Sequence, residues 1–230
     1  MASVMLSADA EQQAQSQRPE SVVPRIPEVK SALLEWGRAH AKKNKNLTGA
    51  SKGAVRIIPG LYLGNAQTAG DAATLANLRV GAVCSVGPKS EKVATIGQGG
   101  DPPSLMRIAI ADDDSARLLP HLRKACEWID HELGSEATDS NSVSATSEGT
   151  GMKSLLSPAS QRSVLVHCRG GMNRSPAVIA AYLIWKYGFT APESMEMVKV
   201  ARPAAQFGRG AQGVLQQDLH LWGAECAGGG

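Results

Sequence analysis

Residues 163–187 read SVLVHCRGGMNRSPAVIAAYLIWKY. The first six form a compact β-branched run and predict a buried strand. The last fourteen, RSPAVIAAYLIWKY, predict a strongly apolar helix. RGGMN between them is a short glycine-bearing loop. A buried strand that passes through a loop into a helix is the repeating unit of a parallel sheet. This order puts Cys168 at the C-terminal end of the strand. It also gathers the loop's backbone N–H groups and the positive end of the helix around one point, an arrangement suited to a tetrahedral oxyanion.

The same alternation extends on both sides. VRIIPGLYLG (55–64) reads as two short strands broken by the turn pair Pro59-Gly60. Residues 68–79 fit a helix with Leu75 and Leu78 facing inward. AVCSVG (82–87) and LMRIAI (105–110) read as strands. Residues 111–133 start acidic and become helical, with an inner stripe of Leu118, Leu122, Ala125, Cys126 and Ile129 and with Pro120 in the first turns, where proline is tolerated. After the apolar helix, TAPESMEMVKVARP (190–203) is a further helix. Thr190 is its expected N-cap, and Glu193 stands at the capping-box spacing. VLQQDLHLW (214–222) is a last short helix. The fold class that follows is α/β: a central, mostly parallel twisted sheet of about five strands with helices on both faces.

The N-terminal stretch 1–27 is rich in Gln, Ser, Ala and Pro without periodicity and is expected to be a disordered tail. The stretch 28–54 holds a helix with Val29, Leu33, Trp36 and His40 on one stripe, then a basic linker. Lys42, Lys43 and Lys45 are read as a solvated helix end. Residues 55–225 form the expected catalytic domain, interrupted by a flexible Ser/Thr-rich insertion at 135–162 that includes Ser157-Pro158. The end, 226–230, is expected to fray.

The 230 residues favour one domain with tails. A net charge of +3 is too mild to call for nucleic acid as a partner. Aromatic residues make up only 4%, so the core must rest on Ala, Val, Leu and Ile. The cysteines Cys84, Cys126, Cys168 and Cys226 form no Cys-x-x-Cys pair, so no zinc knuckle is expected, and no other metal or cofactor is expected because Arg174 and the loop amides supply the electrostatic stabilisation. Free thiols in a reducing compartment fit better, with Cys84 and Cys126 as small core groups. MASVMLSADAEQQ lacks a basic n-region and an apolar h-region, and no run is long enough to span a membrane. Ala2 excludes simple N-myristoylation. An intracellular protein is expected, cytoplasmic, with the nucleus as a second compartment, and a monomer.

The chemistry of 167–175 can be read from its residue types. A thiol is a poor nucleophile until it ionises, and loop amides, the helix dipole and Arg174 all favour the thiolate of Cys168. The guanidinium of Arg174 binds two phosphate oxygens at once. Gly170 and Gly171 permit close backbone approach and unusual dihedrals. Arg169, Met172 and Asn173 complete the substrate-binding loop. His167 is placed to hold the loop through backbone hydrogen bonds. Ser175 is placed to donate to the cysteine sulfur and help it leave. These roles suit phosphoryl transfer through a phosphocysteine.

The full string His-Cys-x-x-Gly-x-x-Arg-Ser between strand and helix resembles the signature of the cysteine-dependent protein tyrosine phosphatases, most closely the dual-specificity branch. The resemblance covers roughly Val55 to Trp222. IIPGLYLGNAQTA looks like the first segment of that branch, and SPAVIAAYLIWKYGFT and SMEMVKVARP look like its two helices after the phosphate loop. The resemblance implies a phosphorylated protein as substrate, a protein kinase being one candidate. It also implies a general-acid aspartate. Asp112, Asp113 and Asp114 compete for this role. Counting back from Trp128-Ile129-Asp130 by the family's spacing selects Asp112 to protonate the leaving oxygen and then to activate water. Asp113 and Asp114 are left as helix caps.

Four features depart from the pattern. Gly170 stands where alanine is usual, and Asn173 where serine is usual. Residues 204–213 are longer and richer in glycine than the usual Pro-Asn turn, and the 135–162 insertion is long. The Gly-x-Asn-Arg string is also similar to RNA 5′-triphosphatase relatives, although Ser175-Pro176 fits the protein phosphatases better. The absence of lysine in the loop weighs against a phosphoinositide. The same mechanism on a non-protein phosphate, such as an RNA 5′ end, a phosphoinositide or a phosphoglycan, stays open. So does a silent phosphoprotein-binding module, although its usual mark, a lost cysteine, is absent here. Asp112 and Ser175 argue against rhodanese-like and arsenate-reducing readings.

Overall fold

The structure is a computed structural model that describes residues 26–44, 53–88, 102–111, 117–134, 162–208 and 213–228. The expected tail, most of the basic linker, the three competing aspartates, nearly all of the serine-rich insertion and residues 209–212 lie outside the described residues.

Five strands form one sheet in the order β1-β2-β5-β3-β4. They are β1 (Val55–Ile58), β2 (Leu61–Asn65), β3 (Val80–Val86), β4 (Ser104–Ile108) and β5 (Ser163–Cys168). Only the β1–β2 pair is antiparallel; β2–β5, β5–β3 and β3–β4 are parallel. Pro59-Gly60 makes the hairpin turn. Gly60 has φ +77, a left-handed conformation that favours glycine, and a Cβ there would press on the end of the Leu133 side chain at 3.0 Å.

Every residue of β5 is buried, as expected for a central strand covered on both faces. The alternation of its side chains separates two cores. Val164, Val166 and Cys168 point into the larger one, and Leu165 joins Ala69, Leu75, Val80 and Val83 in the smaller one. The smaller core lies under α2 (Ala66–Ala69) and α3 (Ala72–Asn77). The larger lies under α4 (Leu119–Gly134), α5 (Arg174–Tyr187), α6 (Ala191–Ala201) and α7 (Val214–Gly228).

Helix α5 is buried at every residue from Arg174 to Ile184. A helix apolar all round must lie within the fold, and α5 packs against α4, α6, α7 and β5. Its end is set by Gly188 at φ +64, whose N–H donates to the Ile184 carbonyl while Phe189 N–H reaches back to Leu183. Trp128-Ile129-Asp130 locks α4 onto it: Ile129 is fully buried, and Asp130 accepts from Tyr182 Oη at 3.0 Å and from Lys186 Nζ. The N-terminal helix α1 (Ile26–Asn44) lies on α6 and β1, with Leu33 and Gly37 buried and Lys30 paired with Glu193 at 2.6 Å.

Three sequence expectations change. The single helix over 68–79 is two short ones, because Gly70 ends α2 and the Asp71 carboxylate then caps the N–H of Ala73 to start α3. Leu118, expected as the first inner-stripe residue of the helix within 111–133, lies just ahead of it: the helix starts at Leu119, where Asp218 of α7 accepts the N–H groups of Leu118 and Leu119 at 2.7 and 3.2 Å. The last helix runs on to Gly228, so Cys226, Ala227 and Gly228 are helical rather than a frayed end. Leu215, Leu219 and Trp222 anchor that helix, Trp222 donates Nε1–H to the Ala181 carbonyl, and Cys226 packs on the core one turn later. The capping box at Thr190 and Glu193 is present.

Candidate active site

The parallel strands converge where ligands bind in open α/β sheets, at their C-terminal ends. Cys168 ends β5 beside Asn65, the last residue of β2, and is 2% exposed. Residues 169–173 then leave the sheet and Arg174 opens α5.

Two donors meet the Cys168 sulfur, Gly171 N–H at 3.2 Å and Ser175 Oγ–H at 3.2 Å. Gly171 is confined by its surroundings. It has φ +66, and a Cβ would stand 2.5 Å from the Gly64 carbonyl oxygen and 3.0 Å from Arg202 Nη2. A Cβ on Gly170 would meet only the mobile end of Met172, at 3.1 Å. The two adjacent glycines therefore serve different needs.

The loop is held from outside by its carbonyls. Arg169 O accepts from Ala66 N–H, Gly170 O from Arg202 Nη2, and Met172 O from Gln206 N–H at 2.8 Å. In a planar trans peptide the N–H leaves on the side opposite the C=O. Each fixed carbonyl therefore turns the next residue's N–H away from its holder, and the Gly171 N–H turned in this way meets the sulfur. Asn65 supports the first of these holds, since its side chain accepts the Thr68 N–H and caps the helix that carries Ala66.

Arg174 and Ser175 are buried in the first turn of α5, while Arg169 and Met172 are exposed. Asn173 does not cap α5 with its side chain. Its Oδ1 instead accepts the Gly208 N–H at 3.3 Å and ties the loop to the glycine-rich stretch behind it. Asparagine, with an amide oxygen on a longer reach than a serine hydroxyl, suits this span. Phe207 is fully buried with φ +57 and Ala205 is buried, whereas Ala204 and Gln206 are exposed.

His167 is fully buried in β5 between Gly64 and Ser85. Burial pushes its pKa down to about 4, a backbone hydrogen bond at Cys168 opposes this, and the Arg107 charge adds a little. It is therefore a neutral imidazole at pH 7. Burial alone pushes the Cys84 thiol up to about 12, and burial, foremost, also raises Cys126 and Cys226.

The sequence reading missed Arg202 and Asn65. The signal for Arg202 was an arginine directly before the helix-ending Pro203, which reads equally well as an ordinary helix stop. Asp112 lies outside the described residues. Among the described residues no cluster of three His, Cys, Asp or Glu could hold a metal ion, and no helix is long and apolar enough to cross a membrane. A groove of about 350 Å³ between β4 and α4, lined by Arg107, His121, Lys124 and Trp128 among others, contains none of these site residues.

The family model "Dual specificity phosphatase, catalytic domain" matches residues 156–217. Mouse dual specificity phosphatase 28 is 30% identical over 169 residues, covering 70% of this chain and 81% of the mouse protein. The chain belongs to the dual-specificity phosphatase family. The human dual specificity phosphatase 28 is 28% identical over 168 residues, covering 71% of this chain and 76% of its own. A mouse putative dual specificity phosphatase, solved in complex with zinc tungstate, shares the fold at TM-score 0.58 and 23% identity, covering 79% of this chain and 92% of that one. This dual-specificity phosphatase is accordingly a cysteine-based hydrolase of phosphoesters that acts on phosphorylated proteins.

Proposed function

We propose that this phosphatase removes phosphate from phosphotyrosine and from phosphoserine or phosphothreonine by way of a phosphocysteine on Cys168, within a catalytic domain spanning 55–225. One observation carries the reading: the Cys168 sulfur lies at the floor of the loop with two donors, Gly171 N–H and Ser175 Oγ–H, both at 3.2 Å. In the first step the thiolate attacks phosphorus, the S–P bond forms, and the bond from phosphorus to the leaving oxygen breaks. Asp112 gives its proton to that oxygen. Arg174 and the loop amides hold the three equatorial oxygens, whose charge grows in the transition state. In the second step water attacks phosphorus and loses a proton to Asp112. The S–P bond breaks, inorganic phosphate leaves, and Ser175 donates to the departing sulfur. His167 stays neutral and serves the strand–loop geometry.

The test is phosphate release from a small aryl phosphate in the presence of EDTA, comparing the parent chain with Cys168→Ser. Turnover confined to the parent, with a phosphocysteine trapped by rapid quench, supports the reading. Equal turnover in both sinks it. A panel of phosphopeptides, RNA 5′ ends, phosphoinositides and phosphoglycans then ranks the substrates.

A further inference from the structure

Arg202 is a cation in an unusual place. It follows α6 in extended backbone, φ −133 and ψ 91, and only 6% of the residue is exposed. Among the described residues no carboxylate pairs with it and its Nε has no hydrogen-bond partner. Its acceptors are two backbone carbonyls at long range, Gly53 O at 3.5 Å and Gly170 O at 3.4 Å. Two neutral acceptors at such distances do not offset the burial of a guanidinium. Burial disfavours its charge, and the nearby Cys168 charge favours it.

The Gly170 carbonyl and the Gly171 N–H belong to one peptide unit. Arg202 takes one end and the Cys168 sulfur takes the other. That unit is flanked by glycine on both sides. A peptide plane between two glycines turns over more easily than any other, because neither residue has a Cβ to forbid the new dihedrals. If it turned, a carbonyl oxygen would face the sulfur where a donor now stands.

We propose that Arg202 is a positioning residue that fixes the Gly170–Gly171 peptide from behind the phosphate loop, so that the Gly171 N–H stays aimed at the Cys168 sulfur. This rests on Cys168 being the nucleophile. Of the neighbouring groups, Ser175 also donates to that sulfur; Arg174 opens α5, His167 precedes Cys168 in β5, Arg169 follows it in the loop, and the uncharged Gly64 and Asn65 end β2 beside it. Asp112 lies outside the described residues. Arg202 reaches the loop from the end of α6.

The experiment uses the full chain as parent, Arg202→Met and Arg202→Lys. Folding is checked by circular dichroism and melting. The readouts are the pH profile of iodoacetamide reaction at Cys168, located by mass spectrometry, and kcat and KM on an aryl phosphate. For Arg202→Met the alkylation profile should move to higher pH by about one unit, with kcat down about tenfold and KM changed far less, the size of one charge-assisted hydrogen bond. Arg202→Lys, which keeps a charge and a donor without the planar fork, should fall between. A folded Arg202→Met with the parent's profile overturns the proposal. If that variant does not fold, Arg202→Lys carries the same test, and a parent-like profile overturns it. Failure of the underlying reading shows elsewhere: the parent itself would lack selective Cys168 alkylation and aryl phosphate turnover.

Discussion

The site around Cys168 has two walls of different origin. One is contiguous in sequence: Cys168, Gly171, Arg174 and Ser175 follow each other through a strand, a loop and the first turn of a helix. The other comes from three distant stretches: Gly64 to Ala66 at the end of β2, Arg202 after α6, and Gln206 to Gly208 behind the loop. The first wall carries the groups to which the proposed mechanism assigns the reaction. The second supplies almost no chemistry and fixes the direction of the first wall's backbone. A signature motif is therefore half a site, since its amides point inward only while other elements hold the carbonyls outward.

The largest expected effect comes where the walls touch. Gly171→Ala forces a Cβ to 2.5 Å from the Gly64 carbonyl in a left-handed conformation, two faults in one place. It should cost about 3 kcal/mol of stability or more, with aryl phosphatase activity lost; a melting curve and an assay read both. Near-parental behaviour would mean the contact with β2 is not tight.

The next effect concerns the strand feeding the loop. His167 titrates at about 4 when folded against the usual 6.5. Between those values the unfolded chain binds more protons, so stability is full above about pH 6.5 and falls as pH drops toward 4. The difference amounts to about 3 kcal/mol at most. Urea unfolding from pH 7.5 to 4 should show this slope, and His167→Asn should flatten it. Glu193, held down to about 2 mainly by Lys30 and partly exposed, titrates below this window.

Smaller effects separate the second wall's contributions. Asn173→Ala removes the acceptor for the Gly208 N–H and should lower stability by about 1 kcal/mol, with KM for aryl phosphate rising severalfold. An unchanged KM would detach the glycine-rich stretch from the loop's function. Gly170→Ala should be close to neutral, within about 0.5 kcal/mol and with activity kept, because its Cβ meets only the flexible Met172 terminus. A large loss there would contradict the division of labour between the two glycines.

Strand–loop–helix order, the α/β class and the buried stripes were legible because they follow from periodicity and β-branching in short windows. Leu122, Ala125, Cys126 and Ile129 are all buried as the helical spacing requires, and Leu118, just ahead of the helix, is buried as well. The Gly70-Asp71 break was missed because alanine and leucine at 68–79 satisfy a helical period, while the local capping by Asp71 outweighs it. The extension of α7 through Cys226 was missed because glycine and alanine carry no amphipathic signal. The neighbouring core residue Trp222 supplies the anchoring instead.

By itself, then, the sequence determined which groups the proposed chemistry would use, since Cys168, Arg174 and Ser175 are spaced by one loop and one helical turn and need only local backbone geometry to meet. The tertiary structure alone decided which way the loop's peptides face. Carbonyl holders such as Ala66, Arg202 and Gln206 lie 32 to 103 positions from the carbonyls they bind. No local pattern encodes such a pairing; it exists only once the sheet has brought the ends of β2, β5 and α6 to one edge.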